Sequence, residues 1–289
     1  MYRVRTASTE DLAGVIGLVA RLQRDPAHHI GFFGESREEV TEELSALFPT
    51  GAVVAVDQGG RLRGALCVER SAERSYLYGP FVDVPANHPA AGQVWQTTAD
   101  ALLEAAAVTG PLELFGHREN RLLADFARRH DVPVYQETGL FVLEKPPLRD
   151  LLAKEIVDDR VIPLPADPVV RAEVARLHDL CFPGASTPGA QLVSGKHTVV
   201  VLLGNGLLGY AAGFPQAAEY YVDSVGVDPD ARSCGVGRTV VRRLLVELAR
   251  VDARERAAAV IRSGNHASEH MFAKLGFERR ADLVCYRTG

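Results

Sequence analysis

Glu219-Tyr220-Tyr221-Val222-Asp223-Ser224-Val225-Gly226-Val227 begins the stretch that decides the fold, and Asp228-Pro229-Asp230-Ala231-Arg232-Ser233-Cys234-Gly235-Val236-Gly237-Arg238 follows it directly. The first of these runs is rich in aromatic and β-branched residues, which favour a strand. Asp228-Pro229-Asp230 is typical of a turn. From Thr239 to Val251 apolar residues recur at three- and four-residue steps, which predicts an amphipathic helix. The order is therefore strand, turn, glycine-containing loop and helix.

The loop between that strand and that helix contains the residue types of a phosphate site. The first turn of a helix leaves backbone N–H groups unpaired and carries a partial positive charge. Gly235 and Gly237 lack the Cβ atoms that would keep a ligand from the backbone, and Arg232 and Arg238 flank the loop. The pattern predicts a site for a phosphate or pyrophosphate. The alternative is that Gly-x-Gly only closes a tight turn between strand and helix.

Two motifs resemble those of the GNAT superfamily of acetyltransferases. The segment Arg232–Arg238 reads Arg-x-x-Gly-x-Gly-Arg after a Val-x-Val-x-Pro run that ends at Pro229, and it resembles the acyl-CoA-binding signature. The segment Asn265–Phe277 resembles the later motif of the family, an Asn, an Ala two residues on, and a helix that ends in Leu-Gly-Phe. The resemblance covers roughly Val161–Gly289 and implies an α/β fold with a mixed sheet.

The resemblance implies acetyl-CoA as cosubstrate and no metal. In the family the loop holds the pyrophosphate, and the strand before the loop splays from its neighbour so that its free backbone pairs with the pantetheine arm. The coenzyme-binding residues implied here are Val225, Gly226, Val227, Arg232, Ser233, Cys234, Gly235, Val236, Gly237, Arg238, Asn265 and Phe272. Asn265 could instead cap the helix that follows it.

The implied reaction is direct transfer of an acetyl group from the thioester to an amine. The enzyme must align the amine, remove a proton and support an oxyanion, for which a backbone N–H near Val225 is the candidate. In many family members a carboxylate on the strand before the loop takes the proton. Glu219 is the first candidate and Asp223 the second, and either could instead be a solvated strand end or a hydrogen-bonded core carboxylate. Tyr221 shares their face if the strand alternates regularly, whereas a bulge would change that parity.

One position departs from the family pattern. The leaving thiolate often receives its proton from a Tyr in the helix after Asn265, but the residue here is Phe272, which has no proton to donate. Tyr221, Tyr286 or water could replace it, and a thiolate can also leave unprotonated because its pKa is modest. The departure keeps open a second function, a catalytically weak acyl-CoA-binding regulatory or sensor protein.

Length and composition predict two globular domains of roughly 140–150 residues each. Hydrophobic residues make up 47% of the 289 residues and charged residues 24%, which is ordinary for globular proteins. The net charge of −5 argues against a nucleic-acid or membrane-surface partner. The four cysteines form neither a zinc pattern nor a disulfide framework, and no run is apolar enough for a signal peptide or a membrane span. We therefore expect a cytoplasmic protein.

The order of the predicted elements occurs twice, which predicts a tandem duplication. A shift of 143 residues places Gly92 on Gly235, and a shift of 145 places Asn120 on Asn265. In the first copy Pro89 takes the place of an arginine and Val94 that of a glycine, so one N–H is missing and a branched side chain crowds the loop.

From this we expect a degenerate GNAT-like domain at residues 1–147 and an acetyl-CoA-binding catalytic domain at residues 148–289. The chain would be a monomer with an internal pseudo-dimer or a homodimer. Tandem GNAT proteins include mycothiol synthase and antibiotic-tailoring enzymes, so the resemblance implies a small aminosugar-type or metabolite amine as acceptor. A nucleotide-binding module is the third alternative, but the third glycine and the helix-end acid of a Rossmann motif are not in place.

Several local expectations follow from shorter patterns. We expect the strand at Tyr135–Glu144 to be broken at Thr138-Gly139, and a helix at Leu148–Val157. His28-His29 with Phe32-Phe33 could line an acceptor pocket or pack in a loop or core. His266 and His270 share a helix face, but their spacing lacks the zinc-protease pattern.

Overall fold

The computed structural model describes residues 2–31, 34, 36–48, 51–85, 88–153, 158–185 and 187–289. The chain divides into two compact units, one made of Met1–Thr138 with Ala281–Gly289 and the other of Gly139–Arg280. Phe32 and Phe33, which the sequence offers as possible lining of an acceptor pocket, lie outside the described residues. No helix in the described ranges is both long and apolar enough to cross a membrane.

The first unit consists of helices and a mixed sheet that contains both antiparallel and parallel strand pairs. Its strands are β1 (Arg3–Thr6), β2 (Ala52–Val56), β3 (Leu62–Arg70), β4 (Ser75–Val82), β5 (Leu112–His117) and the end of β12 (Glu278–Arg287). They lie in the order β1-β2-β3-β4-β5-β12. Its helices are α1 (Leu12–Leu22), α2 (Arg37–Leu47), α3 (Ala91–Ala105) and α4 (Arg121–Arg129).

The last strand of the chain completes the sheet of the first unit. Leu283–Arg287 pair antiparallel with β5, and Val284 and Tyr286 belong to the same buried core as Trp95. Tyr286 is thereby part of the first unit's core. Trp95 packs edge-on against Phe126 at 6.4 Å between ring centroids, in the core of the first unit.

The second unit repeats this architecture. Its strands are the end of β6 (Val134–Leu143), β7 (Val161–Pro163), β8 (Thr198–Leu203), β9 (Leu207–Pro215), β10 (Glu219–Val227) and β11 (Arg256–Arg262). Its helices are α5 (Lys145–Ala153), α6 (Pro168–Cys181), α7 (Gly189–Ser194), α8 (Val236–Val251) and α9 (His266–Lys274). The strands lie in the order β6-β11-β10-β9-β8-β7. One core contains the apolar stripe of α8, and a smaller core contains side chains of α6 and α7.

The duplicated order of elements is confirmed. In each unit a first strand is followed by two helices, three antiparallel strands, a long helix, a parallel strand and a short helix. Asn120 caps α4 by accepting from the N–H of Leu123, and Asn265 caps α9 by accepting from the N–H of Ser268. The shift of 145 residues therefore relates two equivalent helix starts.

The structure differs from the sequence pattern at three places. β6 runs unbroken from Val134 to Leu143, because Gly139 does not end the strand but gives room to Arg279, whose Nε would lie 3.0 Å from an added Cβ. α7 has no counterpart in the sequence pattern; a Cβ on Gly189 would meet Ala175 O at 2.2 Å, so this short helix lies close to α6. α8 begins at Val236 rather than Thr239, because Gly235 adopts the left-handed conformation as its N-cap.

The helix predicted at Leu148–Val157 is present as Lys145–Ala153, and residues 154–157 lie outside the described residues. The domain boundary between residues 147 and 148 stays a prediction about the chain. The compact units separate instead at Thr138/Gly139 and again at Arg280/Ala281.

Candidate functional site

The loop between β10 and α8 has an unusual backbone. Asp228 caps a 3₁₀ turn at Pro229–Ala231 by accepting from the N–H of Asp230 at 3.0 Å. Two residues after this turn take left-handed conformations, Ser233 with φ of 64° and Gly235 with φ of 84°. Left-handed residues turn neighbouring N–H groups toward one side of the chain, as in anion-binding nests.

The N–H groups of residues 233–238 form no hydrogen bond within the described part of the chain. The first amide of this region that does is Thr239, which donates to Gly235 O at 3.1 Å. A helix start supplies both these free donors and the positive end of the helix dipole. The row of amides is therefore suited to a diphosphate group.

Side chains of the loop leave this row of amides open. Arg232, Ser233 and Cys234 are exposed. Arg238 is exposed too, and its Nη2 would lie 3.5 Å from a Cβ on Gly235. Its guanidinium is thus positioned to add charge beside the amides.

Gly235 and Gly237 serve different purposes. Gly235 is required by its positive φ. Gly237 has no such conformation, and a Cβ there would lie 3.6 Å from Met271 Cγ and 3.7 Å from Val227 Cγ2, which are ordinary contacts. Alanine is therefore expected to fit the fold at Gly237 but to strain it at Gly235.

Strand β10 separates from β11 halfway along its length. Parallel pairing covers Glu219–Val222 against Arg256–Ala259, whereas pairing of β10 with β9 continues to Val227. Residues 224–227 therefore have a neighbour on one side only within the second unit's sheet. The gap opens toward the glycine loop, as the resemblance implies for a strand that receives the pantetheine arm.

A bulge lies where the strands separate. Val222 pairs with Gly213 and Ser224 with Ala212, so Asp223 is an additional residue on β10. Tyr220 and Val222 before the bulge and Val225 after it all pack toward the core beneath α8. The bulge interrupts the regular alternation of the strand at Asp223, and such bulges are common beside functional sites.

Asp223 and Tyr221 belong to one cluster of side chains. The Tyr221 ring lies 5.5 Å from that of Phe214, and the Phe214 ring lies 5.3 Å from that of His197. His197 Nε2 is 3.3 Å from Asp223 Oδ2. We refer to His197, Phe214, Tyr221 and Asp223 as the bulge cluster.

Glu219 has a different environment. Its Oε2 accepts from Arg256 Nε at 2.8 Å, and Arg256 is also its register partner on β11. The Glu219 side chain is only 15% exposed, against 31% for Asp223. Glu219 is thus a neutralised carboxylate at the paired end of the strands, whereas Asp223 lies at the point of separation.

Tyr221 is held in its protonated form. Burial raises the pKa of its hydroxyl, and the nearby negative charges of Asp223 and Glu219 raise it further. The phenol can therefore serve as a proton donor at neutral pH but not as a base.

Asn265 and Phe272 lie on α9. The Asn265 side chain accepts from the N–H of Ser268 at 3.2 Å, which is the capping alternative. Phe272 is buried in the core beneath α8 and packs edge-on against Phe277 at 5.0 Å. Phe272 has no hydroxyl group, so it cannot donate a proton to a leaving thiolate.

The first unit retains the strand geometry but not the open amides. β4 and β5 pair only at Ser75–Leu77 against Leu112–Leu114, and a register shift marks a bulge at Gly79-Pro80. At the start of α3, however, the N–H of His88 donates to Pro85 O, that of Ala90 to His88 Nδ1 and that of Ala91 to His88 O, and Pro89 has no N–H. The donors available at α8 are largely consumed here.

Sequence reasoning missed His197 and Phe214. Neither belongs to a motif, and His197 comes close to Asp223 only through the pairing of three strands. Of the other histidines considered, His29 is buried in the first unit, and His266 pairs with Glu269 at 3.1 Å. No group of three or more His, Cys, Asp or Glu side chains in the described ranges is arranged to hold a metal ion.

Comparison with known proteins agrees with the geometry. Residues 172–277 match the acetyltransferase (GNAT) family model, and this match contains the bulge cluster, the glycine loop and Asn265. No curated protein sequence matches the chain significantly.

Solved structures match over the whole chain. A GCN5-related N-acetyltransferase from Sphaerobacter thermophilus aligns with a TM-score of 0.70 and 13% identity over 99% of this chain and 95% of that one. A tandem GNAT protein from the clavulanic acid biosynthesis pathway aligns with a TM-score of 0.63 and 15% identity over 100% and 98%. A GCN5-related glucosamine N-acetyltransferase region of a fungal multi-domain β-N-acetylglucosaminidase aligns with a TM-score of 0.63 and 11% identity over 100% of this chain and 38% of that one.

At these identities the structures show a shared fold, and the family model matches a segment within the second unit. Residues 172–277 thus match the acetyltransferase (GNAT) family, and the chain as a whole has the fold of a tandem GNAT protein.

Proposed function

We propose that this protein is an N-acetyltransferase that moves an acetyl group from acetyl-CoA directly to the amine of a small molecule, with the coenzyme bound by the second unit. The observation that supports it most is the open row of amides at residues 233–238 beside the separated strands β10 and β11. The amides suit the diphosphate, and the edge of residues 224–227 that faces away from β9 suits the amide groups of pantetheine. The GNAT match implies acyl transfer from an acyl-CoA.

Coenzyme binding can be tested by thermal unfolding. Acetyl-CoA at about 100 times its Kd should stabilise the protein by about 2.7 kcal/mol, whereas NAD and ATP should not. Release of free thiol over a panel of amines then tests turnover. The panel should include glucosamine, because one structural neighbour is described as a glucosamine N-acetyltransferase region. Stabilisation by NAD or ATP instead of acetyl-CoA would contradict the proposal.

The regulatory alternative is favoured by one observation, the buried Phe272 in place of a proton-donating tyrosine. Tyr221 compensates for it in our proposal, since burial and neighbouring charges keep its hydroxyl protonated. Acetyl-CoA binding without thiol release across the amine panel would favour the regulatory function.

The two candidate carboxylates should behave differently. Asp223→Asn is expected to lower kcat about 10²-fold, the lower end of the range for general acid–base groups, because Asp223 lies at the strand separation. Glu219→Gln should change kcat little, because Glu219 is already paired with Arg256. Steady-state kinetics on the best amine of the panel provide the measurement. A larger loss in Glu219→Gln would reverse the assignment.

The thiol of Cys234 reports on the loop directly. Cys234 is exposed, whereas Cys67 and Cys285 are buried and burial raises the pKa of each thiol to about 12. A maleimide at neutral pH should therefore modify Cys234 much faster than the two buried thiols. Saturating acetyl-CoA should slow this reaction, and Cys234→Ser should abolish the fast phase when both are measured in a Cys181→Ser background, because Cys181 is half-buried. Undiminished labelling of Cys234 in the presence of bound acetyl-CoA would contradict the assignment of the loop.

A further inference from the structure

His197 lies in the bulge cluster without a role in the function proposed so far. It directly precedes β8, and its ring stands at 80° to that of Phe214 on β9. Its side chain is 14% exposed, and Asp223 on β10 is the charged group within ion-pair distance of it in the described part of the chain. Phe214, whose ring contacts those of His197 and Tyr221, is uncharged, and Tyr221 is protonated.

An amine acceptor requires such a group. A primary amine is largely protonated near neutral pH and must lose a proton before its lone pair can attack a carbonyl carbon. Imidazole is the side chain whose ordinary pKa is closest to neutrality, and a neighbouring carboxylate stabilises the imidazolium that forms. Glu219 cannot supply this pairing as readily because Arg256 already neutralises it.

We propose that His197 accepts the proton of the acceptor ammonium, with Asp223 stabilising the resulting imidazolium; this rests on the function proposed above. The proton of the ammonium moves to the imidazole, and the freed nitrogen lone pair forms a bond to the acetyl carbon. The C–S bond then breaks, and its electron pair leaves on the thiolate of coenzyme A. The Tyr221 hydroxyl donates its proton to that thiolate and takes up the second proton lost by the nitrogen, and the imidazolium later releases its proton to solvent.

The geometry also indicates which ring nitrogen of His197 accepts the proton of the ammonium. Nε2 lies 3.3 Å from Asp223 Oδ2, and an ionised carboxylate accepts but does not donate, so we infer that the neutral ring carries its proton on Nε2. Nδ1 forms no hydrogen bond to the described residues and is left with the free lone pair. At 3.3 Å the two groups are within ion-pair distance but do not form a well-aligned hydrogen bond, as is common for catalytic pairs before substrate binds.

The tautomer can be measured without any acceptor. Two-dimensional ¹H–¹⁵N spectra of the histidine rings, assigned with His197→Gln, should show the neutral His197 ring protonated on Nε2. Asp223→Asn should shift or mix this tautomer. A neutral ring protonated on Nδ1, or spectra of His197 unaffected by Asp223→Asn, would overturn the proposal.

Kinetics give the second test. With the best acceptor amine of the panel, His197→Ala should lower kcat about 10²-fold and leave the KM for acetyl-CoA unchanged, because the glycine loop is intact. Added imidazole should restore part of the lost kcat. His130→Ala is the matched control, because His130 forms a similar pair with Asp100 in the first unit at 2.8 Å, and it should keep wild-type kcat.

The outcomes separate this proposal from the function it rests on. Unchanged kcat in His197→Ala, or a loss that imidazole does not restore, would overturn the role of His197 while acetyl transfer by the wild type stands. A wild type that neither binds acetyl-CoA nor releases thiol would overturn the function itself, and the tautomer spectra would still decide the His197–Asp223 pairing.

Discussion

Acetyl-CoA binding should fall about 10³-fold when Gly235 is replaced by valine. Gly235 has φ of 84°, a conformation that a β-branched residue strongly avoids, so valine will rotate the backbone out of it. The rotation turns at least two amides away from the row at residues 233–238. Two hydrogen bonds to a charged group, each worth about 1.5–3 kcal/mol, account for a loss of this size. Isothermal titration with acetyl-CoA measures it.

Two matched variants separate strain from ligand contact. Gly184 has φ of 76° and no atom within 4 Å of an added Cβ, so Gly184→Val introduces similar backbone strain in the same unit without touching the loop. Gly92 lies near the start of α3 with open space around it and no positive φ. Both variants should bind acetyl-CoA as the wild type does.

The controls also fix what a negative result means. Equal loss in Gly184→Val and Gly235→Val would assign the effect to general strain. Equal loss in Gly92→Val and Gly235→Val would mean that the first unit binds coenzyme as well. Thermal unfolding without ligand verifies that each variant is folded.

Removing residues 281–289 should unfold the first unit rather than the second. These residues belong to the first unit, where Leu283–Arg287 pair with β5 and Leu283, Val284, Cys285 and Tyr286 are buried. Burial of a large apolar side chain contributes about 1.5–3 kcal/mol, so losing this set removes an amount comparable to the ~5–15 kcal/mol that stabilises a domain. Hydrogen exchange should rise in β4 and β5.

Point variants provide a milder form of this test. Tyr286→Ala should destabilise the first unit by about 3–5 kcal/mol, as large-to-small changes at buried aromatic residues do. Removal of Gly289 alone, which is exposed, should have little effect. If exchange increased in β10 and β9 while β5 remained protected, the domain boundary would instead follow the sequence-based division at residues 147 and 148.

The site could be predicted from sequence to the extent that it depends on neighbours along the chain. Strand β10, the turn at Pro229, the loop and the stripe of α8 occur consecutively, and local preferences determine each of them. The same holds for the caps at Asn120 and Asn265 and for the duplication.

Features that depend on pairing between strands could not be predicted in this way. No local pattern distinguishes Glu219, which pairs with Arg256 on β11, from Asp223, which lies in the bulge. His197 directly precedes β8, which lies two positions from β10 in the sheet, so no spacing along the sequence connects His197 with Asp223.

The amino-acid sequence by itself determined the order of elements, the tandem repeat and the glycine loop, because turn chemistry, helix periodicity and positive φ act over a few residues. The tertiary structure alone decided that the end of β12 completes the first unit and that His197 and Asp223 adjoin. Strand partners are chosen by burial and register over long separations in the chain, and a bulge of one residue redirects side chains that alternation would have placed elsewhere.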